Sequence, residues 1–421
     1  MKLEPKVAFH TLGCKLNQAE TELLARQFVE AGYYIPDDDR ADICIINTCT
    51  VTHIADRKSR HLVRLLRKRS PEALIVVTGC YAERDAQALA RVGADLVVDN
   101  EQKMHLLELM RDKITSMPHC PSERFAADGI NRVRSFIKIQ DGCNDFCTYC
   151  IVPKVRGQEY CLPIAEIIDE VEDRVSDGYK EVVLTGTKIG DYKYIGANLR
   201  QLVEQILAET SIERLHLSSL QPQEISSELV GLWQDSRLCC HFHLALQSGS
   251  DAILKRMRRH YSVANYQKAV SLIREAVPSA AITTDVMVGF PGERDDEFED
   301  SFRFCREMGF ANIHVFPYSP RPETLAAKMS DQVKESVKKE RSLRMLELAQ
   351  ECARKFCEQF LGQDMMILWE REVAPGSGIY SGLSHNYIRV FTKNCEPLTN
   401  QILPARPVKL YSQGLWGEII K

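Results

Sequence analysis

Residues 140–150 read QDGCNDFCTYC and place Cys143, Cys147 and Cys150 at the spacing C-x3-C-x2-C. Thiolates are the usual ligands of iron–sulfur clusters, and three of them leave one iron of a [4Fe-4S] cluster free to bind a small molecule. A zinc site is the alternative, and its tetrahedral shell would need a fourth ligand such as Cys161 or a histidine. The spacing favours the cluster, and an open iron indicates chemistry at this loop.

Short apolar runs around this loop predict the fold of the central part of the chain. Six runs alternate with segments of helical length, at 136–139, 181–184, 215–217, 242–246, 282–288 and 313–316. Such alternation is typical of βα units with parallel strands. We therefore predict a partial (β/α)6 barrel whose first strand leads into the cysteine loop, at the rim where barrel enzymes carry their chemistry.

Polar or glycine-rich segments follow several other strands of the predicted barrel. Small side chains and accessible backbone at such positions suit contacts to a bound cofactor. The candidate cofactor-binding residues are Thr185, Gly186, Thr187, Gln247, Ser248, Gly289 and Gly292. Asp285 lies inside its strand, where it fits either a cofactor contact or a hydrogen bond within the barrel core.

The N-terminal part also alternates strands and helices, which predicts an open parallel sheet. Its apolar runs span 6–12, 43–47, 74–78 and 96–99. Cys14, Cys49 and Cys80 each follow one of the first three strands, whereas Cys44 lies inside a strand and is predicted to pack. Because ligands of open α/β sheets gather at the carboxyl ends of strands, the first three cysteines predict a second three-thiolate site.

Two segments have the apolar spacing of amphipathic helices. Residues 18–31 are predicted to form a helix that Asn17 caps and Gly32 ends. Residues 331–360 are predicted to form a long helix, and the alternating segments after Gly362 predict a small all-β barrel. The predicted domains are residues 1–125, 129–360 and 361–421.

Composition limits the classes of protein to which the chain can belong. A chain of 421 residues exceeds what one core usually supports, so two or three domains are expected. No apolar run is long enough to span a membrane and residues 1–15 lack a secretory signal, which predicts a cytoplasmic protein without a membrane partner. Fifteen cysteines, an odd number at metal-like spacings, favour iron ligation over disulfides.

A net charge of −4 gives no general attraction to nucleic acid, so RNA contacts must use local basic patches. Two patches qualify: the first comprises Arg57, Lys58, Arg60, Arg64, Arg67, Lys68 and Arg69, and the second comprises Lys255, Arg256, Arg258, Arg259 and His260. The first patch has no acid between its cations and suits phosphate contacts. A solvated helix face is the alternative.

Four segments carry a family resemblance. They are TLGCKLNQAE, NTCTVTHIADRKSR, VTGCYAERD and the cysteine loop, which matches the radical S-adenosylmethionine signature. The chain resembles the methylthiotransferase family of radical enzymes over its whole length, and the residues after Cys49 resemble the branch that acts on N6-threonylcarbamoyladenosine in tRNA. GIYSGLSHNYIRVFT resembles the middle of a TRAM domain, the RNA-binding barrel that ends this family's chains, although acids and bases nearly balance there.

The resemblance implies a cofactor set and a reaction. It implies a radical-generating [4Fe-4S] cluster at Cys143, Cys147 and Cys150, an auxiliary [4Fe-4S] cluster at Cys14, Cys49 and Cys80, and bound S-adenosyl-L-methionine. The implied reaction converts N6-threonylcarbamoyladenosine at position 37 of tRNA to its 2-methylthio derivative, with an electron donor such as flavodoxin or ferredoxin.

Two alternatives are open. The first is a methylthiotransferase that acts on isopentenyladenosine in tRNA or on an aspartate of a ribosomal protein. The second is a non-catalytic iron–sulfur protein that binds RNA or senses redox state.

Overall fold

The computed structural model of the chain describes residues 5–36, 41–115 and 133–420, with the backbone alone at 112–115. The predicted domain boundary at 125–129 lies outside these residues. The N-terminal apolar runs form a parallel sheet in the order β1-β2-β3-β4, as predicted, because strands buried on both faces read as continuous apolar runs. These strands are β1 (Val7–Thr11), β2 (Ile43–Thr48), β3 (Leu74–Gly79) and β4 (Leu96–Val97).

Helices pack on both faces of this sheet. Within the described residues they are α1 (Lys15–Glu30), α2 (His53–Arg69), α3 (Cys80–Arg84), α4 (Ala86–Ala90) and α5 (Leu106–Thr115). The prediction that Asn17 caps the first helix is wrong, because Cys14 occupies the N-cap position. The buried Asn17 amide instead donates to the carbonyls of Leu12 (2.8 Å) and Thr48 (3.0 Å), which joins the ends of β1 and β2. Gly32 has a φ of 88°, as the predicted helix stop requires.

The central part is a partial barrel of parallel strands, as predicted. Its strands and short hairpin segments are β5 (Arg134–Lys138), β6 (Gln140–Asp141), β7 (Tyr160–Cys161), β8 (Glu181–Thr185), β9 (Lys193–Tyr194), β10 (Ala197–Asn198), β11 (Arg214–Leu217), β12 (Ser219–Leu220), β13 (His241–Leu244), β14 (Ala281–Val288) and β15 (Asn312–Pro317). The order is β5-β8-β11 and, after a break at Ser218, β12-β13-β14-β15.

Helices surround this barrel on the outside. They are α6 (Val152–Val155), α7 (Ile164–Ser176), α8 (Leu199–Glu209), α9 (Ser227–Val230), α10 (Asp251–Arg256), α11 (Val263–Ala276), α12 (Asp295–Met308) and α13 (Glu335–Glu358). Single 3-10 turns lie at Lys103–His105, Ile189–Asp191, Pro222–Glu224, Gly231–Gln234 and Ala326–Lys328. Within the described residues, no helix combines the length and the apolar character that crossing a membrane requires.

Strand residues alternate between the outer core and the lumen. In β14, Ile282 and Val286 belong to the outer core, so Thr283 and Asp285 face inwards. Helix α1 of the N-terminal part closes the barrel beside β5, where Ala19 packs on Phe136 and Val183. The lumen is therefore walled in part by the N-terminal domain.

The C-terminal segments form a closed five-stranded barrel in the order β16-β17-β18-β20-β19, as predicted. Its strands are β16 (Met365–Glu372), β17 (Ile379–Ser384), β18 (Arg389–Lys393), β19 (Ile402–Tyr411) and β20 (Gly414–Ile419). Trp369 is fully buried in its core. Tyr387 is neither core nor open surface, because its ring stacks on His216 (4.2 Å between centroids) and His241 (4.7 Å) of the central barrel. This turn docks the small barrel onto the larger one.

Candidate active site: two cysteine sites at the mouth of the barrel

The structure brings Cys14, Cys49 and Cys80 together at the carboxyl edge of the N-terminal sheet. Gly13 makes this approach possible: its φ is 109°, and a Cβ atom there would lie 2.7 Å from Cys49 Cβ. Burial, with a smaller effect of the neighbouring Cys80 and Cys14, raises the pKa of Cys49 to about 12. Such a thiol keeps its proton in water-free surroundings unless a metal replaces the proton, so this trio is suited to metal ligation.

The second trio, Cys143, Cys147 and Cys150, lies in the loop after β6, at the carboxyl rim of the barrel. Loop contacts from other parts of the rim fix its shape. The Thr148 amide donates to the Met257 carbonyl (3.1 Å), the Thr148 carbonyl accepts from Ala326 (2.8 Å), and Lys188 pairs with Asp145 (2.8 Å). A guanidinium nitrogen of Arg259 lies 3.3 Å from Cys147 Sγ. Burial raises the pKa of Cys150 to about 12.

The spacing of the sulfur atoms distinguishes a cluster from a single ion. Around one zinc ion the sulfur atoms lie roughly 3.8 Å apart, since each Zn–S bond is about 2.3 Å. Within the described residues, neither trio has its three sulfur atoms within 4.8 Å of one another. Cys161, the fourth ligand that zinc would need, accepts a hydrogen bond from the Lys193 amide (3.3 Å) instead. Three soft donors around a wider space fit a [4Fe-4S] cluster at both sites.

A buried charge network joins the two cysteine sites. The Arg156 guanidinium donates to both carboxylate oxygens of Asp141 (2.9 and 3.0 Å), two residues before Cys143. It also contacts Asn17 (2.5 Å) and Glu20 (3.0 Å) of α1, the helix that begins after Cys14. The side chain of Cys80 packs on Ile151 and Val155, which follow Cys150. The two sites are therefore neighbours.

Burial alone would raise the pKa of Glu20, but Lys103, at 2.6 Å, and Arg156 hold it well below its usual range. Sequence reasoning missed Glu20, Lys103 and Arg156. One signal was present, since the buried positions of α1 include Asn17, Glu20, Thr21 and Glu22, which an ordinary amphipathic helix would not bury.

The predicted cofactor-binding residues fall into two groups, of which the first adjoins the cysteine loop. A Cβ atom at Gly186 would lie 2.7 Å from the Gln140 carbonyl, so glycine allows the loop after β8 to approach the loop that carries Cys143. Thr187 Oγ1 is 3.5 Å from Asp141 Oδ1, and Thr185 is buried at the end of β8. Gln247 continues β13 with a φ of 66° and bridges to Val286.

The second group has packing contacts that sequence reasoning missed. The buried Ser248 hydroxyl bonds the hydroxyl of Ser301 on α12 at 3.0 Å. A Cβ atom at Gly289 would lie 2.4 Å from the Lys338 side chain, and one at Gly292 would lie 2.1 Å from Asp331. Ser248 therefore packs against α12, Gly289 against α13, and Gly292 against the segment that leads into α13.

The structure divides the predicted RNA-binding residues as well. Four members bond inside the protein: Arg60 to Tyr81, Arg67 to Gly93 and Ala73, Arg256 to Glu297, and Arg259 to Cys147 and Gln221. Eight members are exposed: Arg57, Lys58, Arg64, Lys68, Arg69, Lys255, Arg258 and His260. The exposed part of the first patch forms one face of α2.

Two family descriptions match the chain: the Radical SAM superfamily at residues 137–305 and Uncharacterized protein family UPF0004 at residues 6–99. The Bacillus subtilis (strain 168) protein named threonylcarbamoyladenosine tRNA methylthiotransferase MtaB is 35% identical to this chain over 437 residues, covering 99% of this chain and 97% of its own. A Methylacidiphilum infernorum (isolate V4) protein named tRNA-2-methylthio-N(6)-dimethylallyladenosine synthase is 32% identical over 445 residues, covering 98% and 94%.

Among solved structures, the radical S-adenosylmethionine methyltransferase TsrM from Kitasatospora setae superposes with a TM-score of 0.57 at 13% identity. The match covers 77% of this chain and 74% of that one. At this identity the likeness shows a shared fold, which agrees with the partial barrel described above.

Proposed function

The chain belongs to the methylthiotransferase family of radical S-adenosylmethionine enzymes, and on that premise we propose that it converts N6-threonylcarbamoyladenosine at position 37 of tRNA to its 2-methylthio derivative. The observation that carries this proposal is the pair of three-cysteine sites joined through Arg156 at the mouth of one barrel. A redox sensor or a simple RNA-binding protein has no need of two such sites beside one lumen.

The chemistry explains why two sites are required. The hydrogen at C2 of adenine is too weakly acidic for a side-chain base, because such bases work best when their pKa lies near the working pH. When bound, the two [4Fe-4S] clusters and S-adenosylmethionine supply the sulfur, the methyl group and the radical that removes this hydrogen. Cys143, Cys147 and Cys150 would hold the radical-generating cluster, and Cys14, Cys49 and Cys80 the auxiliary cluster.

The protein's own groups position these parts. Arg321, which is 1% exposed, bonds Thr50 (3.1 Å) and Asp56 (2.8 Å) in the segment after Cys49, so the loop after β15 fastens the auxiliary site to the barrel rim. Helix α1 shields the lumen from bulk water beside β5. Exclusion of water protects a reactive radical from side reactions.

The expected partners belong to the same proposal. The exposed face of α2 carries Arg57, Lys58, Arg64 and Lys68, and α2 starts four residues after Cys49, so its cations suit contacts to tRNA phosphates near the auxiliary site. An electron donor such as flavodoxin or ferredoxin and a cytoplasmic location, where tRNA substrates occur, complete the proposal.

Mass spectrometry of tRNA nucleosides tests the proposed reaction and substrate together. A strain lacking this gene is complemented with wild type, with Cys147→Ala or with Cys395→Ala, whose cysteine is exposed on the C-terminal barrel. We expect wild type and Cys395→Ala to restore 2-methylthio-N6-threonylcarbamoyladenosine and Cys147→Ala not to restore it. Loss of the methylthio group from dimethylallyladenosine instead would assign the other tRNA substrate, and an unchanged nucleoside profile would contradict a tRNA substrate altogether.

A further inference from the structure

The lumen contains a group of polar side chains that the cysteine sites do not use. His243, Asp285 and His314 lie on the neighbouring strands β13, β14 and β15, and their nitrogen and carboxylate oxygen atoms lie within 4.8 Å of one another. His243 Nε2 is 3.3 Å from Asp285 Oδ2, and the rings of His243 and His314 are 5.6 Å apart. All three side chains remain accessible to solvent, so they line the lumen wall.

Thr283 links this group to the buried His241. Thr283 Oγ1 lies 3.0 Å from His243 Nδ1 and 3.0 Å from His241 Nε2. Thr283 therefore bonds one ring nitrogen of His243, and Asp285 lies beside the other. Among the described residues, His243 is the only side chain that forms an ion pair with Asp285, so the carboxylate can also accept a hydrogen bond from a ligand.

Lys15 brings a positive charge to the same space. It lies four residues before Ala19 on the face of α1 that packs into the barrel, and its charge acts on His241 and His314. Within the described part of the chain, the Lys15 ammonium group has neither a hydrogen bond nor an ion pair within 4 Å. Glu181, whose charge reaches Lys15, is already paired with Arg214 at 2.9 Å. Burying an unpaired ammonium group costs free energy, and an anion that pairs with it would lower this cost.

We propose that Lys15, His243, Asp285 and His314 form a subsite for an adenosine N6 substituent that carries a carboxylate together with N–H or O–H donors. The inference rests on the proposed function. A threonylcarbamoyl group has one carboxylate, which Lys15 neutralises, and amide and hydroxyl hydrogens, for which Asp285 is an acceptor. A dimethylallyl group has no polar atom and would leave Lys15 and Asp285 without partners, so the subsite selects against it.

Two imidazoles and a carboxylate could instead ligate a divalent metal ion. The Lys15 charge repels a second cation near the same imidazoles, which favours the anionic ligand. The two occupants make different predictions, so one set of measurements separates them.

Equilibrium binding tests the subsite. Reconstituted wild-type enzyme is titrated into fluorescent anticodon stem-loop RNA with four forms of residue 37: threonylcarbamoyladenosine, its neutral primary amide, dimethylallyladenosine and adenosine. We expect the acid to bind at least about tenfold more tightly than the amide, as a charge-assisted bond implies. Lys15→Met should bind the two alike, whereas Lys355→Met, an exposed lysine on α13, should keep the wild-type ratio.

An unchanged ratio of acid to amide affinity in Lys15→Met would overturn the subsite. Iron content and thermal melting are measured first, because Lys15 adjoins Cys14. If Lys15→Met loses iron, Asp285→Asn and His314→Phe are used instead. Each should weaken threonylcarbamoyl binding at least about threefold relative to unmodified adenosine. Unchanged binding in both variants would overturn the inference. If each wild-type chain binds one divalent ion and His314→Phe binds none, the inference is overturned in favour of a metal site.

Product analysis of the same wild-type samples separates this inference from the proposed function. Methylthio product on threonylcarbamoyl RNA, with no effect of the lumen variants on the affinity ratio, would keep the function and remove the subsite. No methylthio product, with an affinity ratio that depends on Lys15, would remove the function and keep an anion subsite.

Discussion

Arg156 is the residue that most directly couples the two cysteine sites. Its side chain is 3% exposed and neutralises Asp141 beside one trio and Glu20 on the helix that follows the other. Lys103 also pairs with Glu20, and Lys138 lies 3.6 Å from Asp141, so without Arg156 these two lysines would be the cations nearest to the two acids among the described residues.

We expect Arg156→Met to lower the free energy of unfolding by roughly 3 kcal/mol, because two buried carboxylates would share one cation fewer. Chemical denaturation of the protein measures this change. Arg406→Met is the matched control, since the Arg406–Asp364 pair is half exposed on both sides and an exposed ion pair contributes little to stability. Equal effects of the two substitutions would contradict the role of Arg156.

At the residue scale the sequence predicted positions whose neighbours are local. The cysteines follow strand ends, and Gly13 stands where a loop must approach Cys49, so strand assignment was enough to place them. The cap was wrong because Asn17 bonds Thr48, which is 31 residues away. A capping rule considers the helix start alone and contains no information about a second strand.

At the element scale, α2 combines a buried apolar side with an exposed basic side. Val63 and Leu66 pack in the core, whereas the four exposed cations named above face solvent. The structural partners of Arg60 and Arg67 could not be read from the sequence, because Tyr81 and Gly93 come from later elements.

We expect simultaneous substitution of Arg57, Lys58, Arg64 and Lys68 by alanine to weaken tRNA binding and to reduce its salt dependence. Each lost phosphate contact lowers the slope of log K against log salt by roughly 0.7–0.9. Affinity measured between low and physiological salt tests this prediction. Arg354→Ala with Lys355→Ala, two exposed cations on α13, is the control. An unchanged slope in the α2 variant would place the RNA elsewhere.

The turn between β17 and β18 docks the C-terminal barrel and is sensitive to acid. Burial, followed by the charge of Arg214, lowers the pKa of His385 to about 4. Between pH 6.5 and 4 the unfolded chain therefore binds this proton more readily than the folded chain. The folded state loses stability as pH falls through this range, by about 2 kcal/mol at pH 5 from this histidine.

His385→Gln removes that contribution. We expect the free energy of unfolding of wild type to fall further between pH 7.5 and pH 5 than that of His385→Gln, as measured by denaturant titration at both pH values. The buried imidazoles of His216 and His241 affect both proteins alike and cancel in this comparison. The same fall in both proteins would show that His385 is not held neutral in the fold.

At the scale of the whole molecule, the sequence predicted the α/β class, the partial barrel and the small β-barrel, because buried parallel strands and repeated turns leave strong local patterns. It did not predict how these parts meet. Tyr387 stacks on His216, Arg321 bonds Asp56, and Arg156 bonds Asn17. Each contact joins residues more than 130 positions apart, and nothing in either segment alone indicates its partner.

The candidate site shows the same division. The cysteine trios follow from spacing and strand order, whereas the group of Lys15, His243, Asp285 and His314 exists only after four separate elements surround one lumen. A histidine in an apolar strand reads equally well as a core residue, so the sequence could not distinguish it from a ligand-binding one.

The central claim is that two separate cysteine sites act on one substrate. It is tested most directly with reconstituted enzyme and threonylcarbamoyladenosine RNA, by quantifying 5'-deoxyadenosine and the methylthio nucleoside in the same reaction. We expect Cys147→Ala to form neither product and Cys49→Ala to form 5'-deoxyadenosine without the methylthio nucleoside, while Cys395→Ala forms both. Methylthio nucleoside from Cys49→Ala, or loss of 5'-deoxyadenosine in Cys49→Ala to the level of Cys147→Ala, would contradict the division of labour between the two sites.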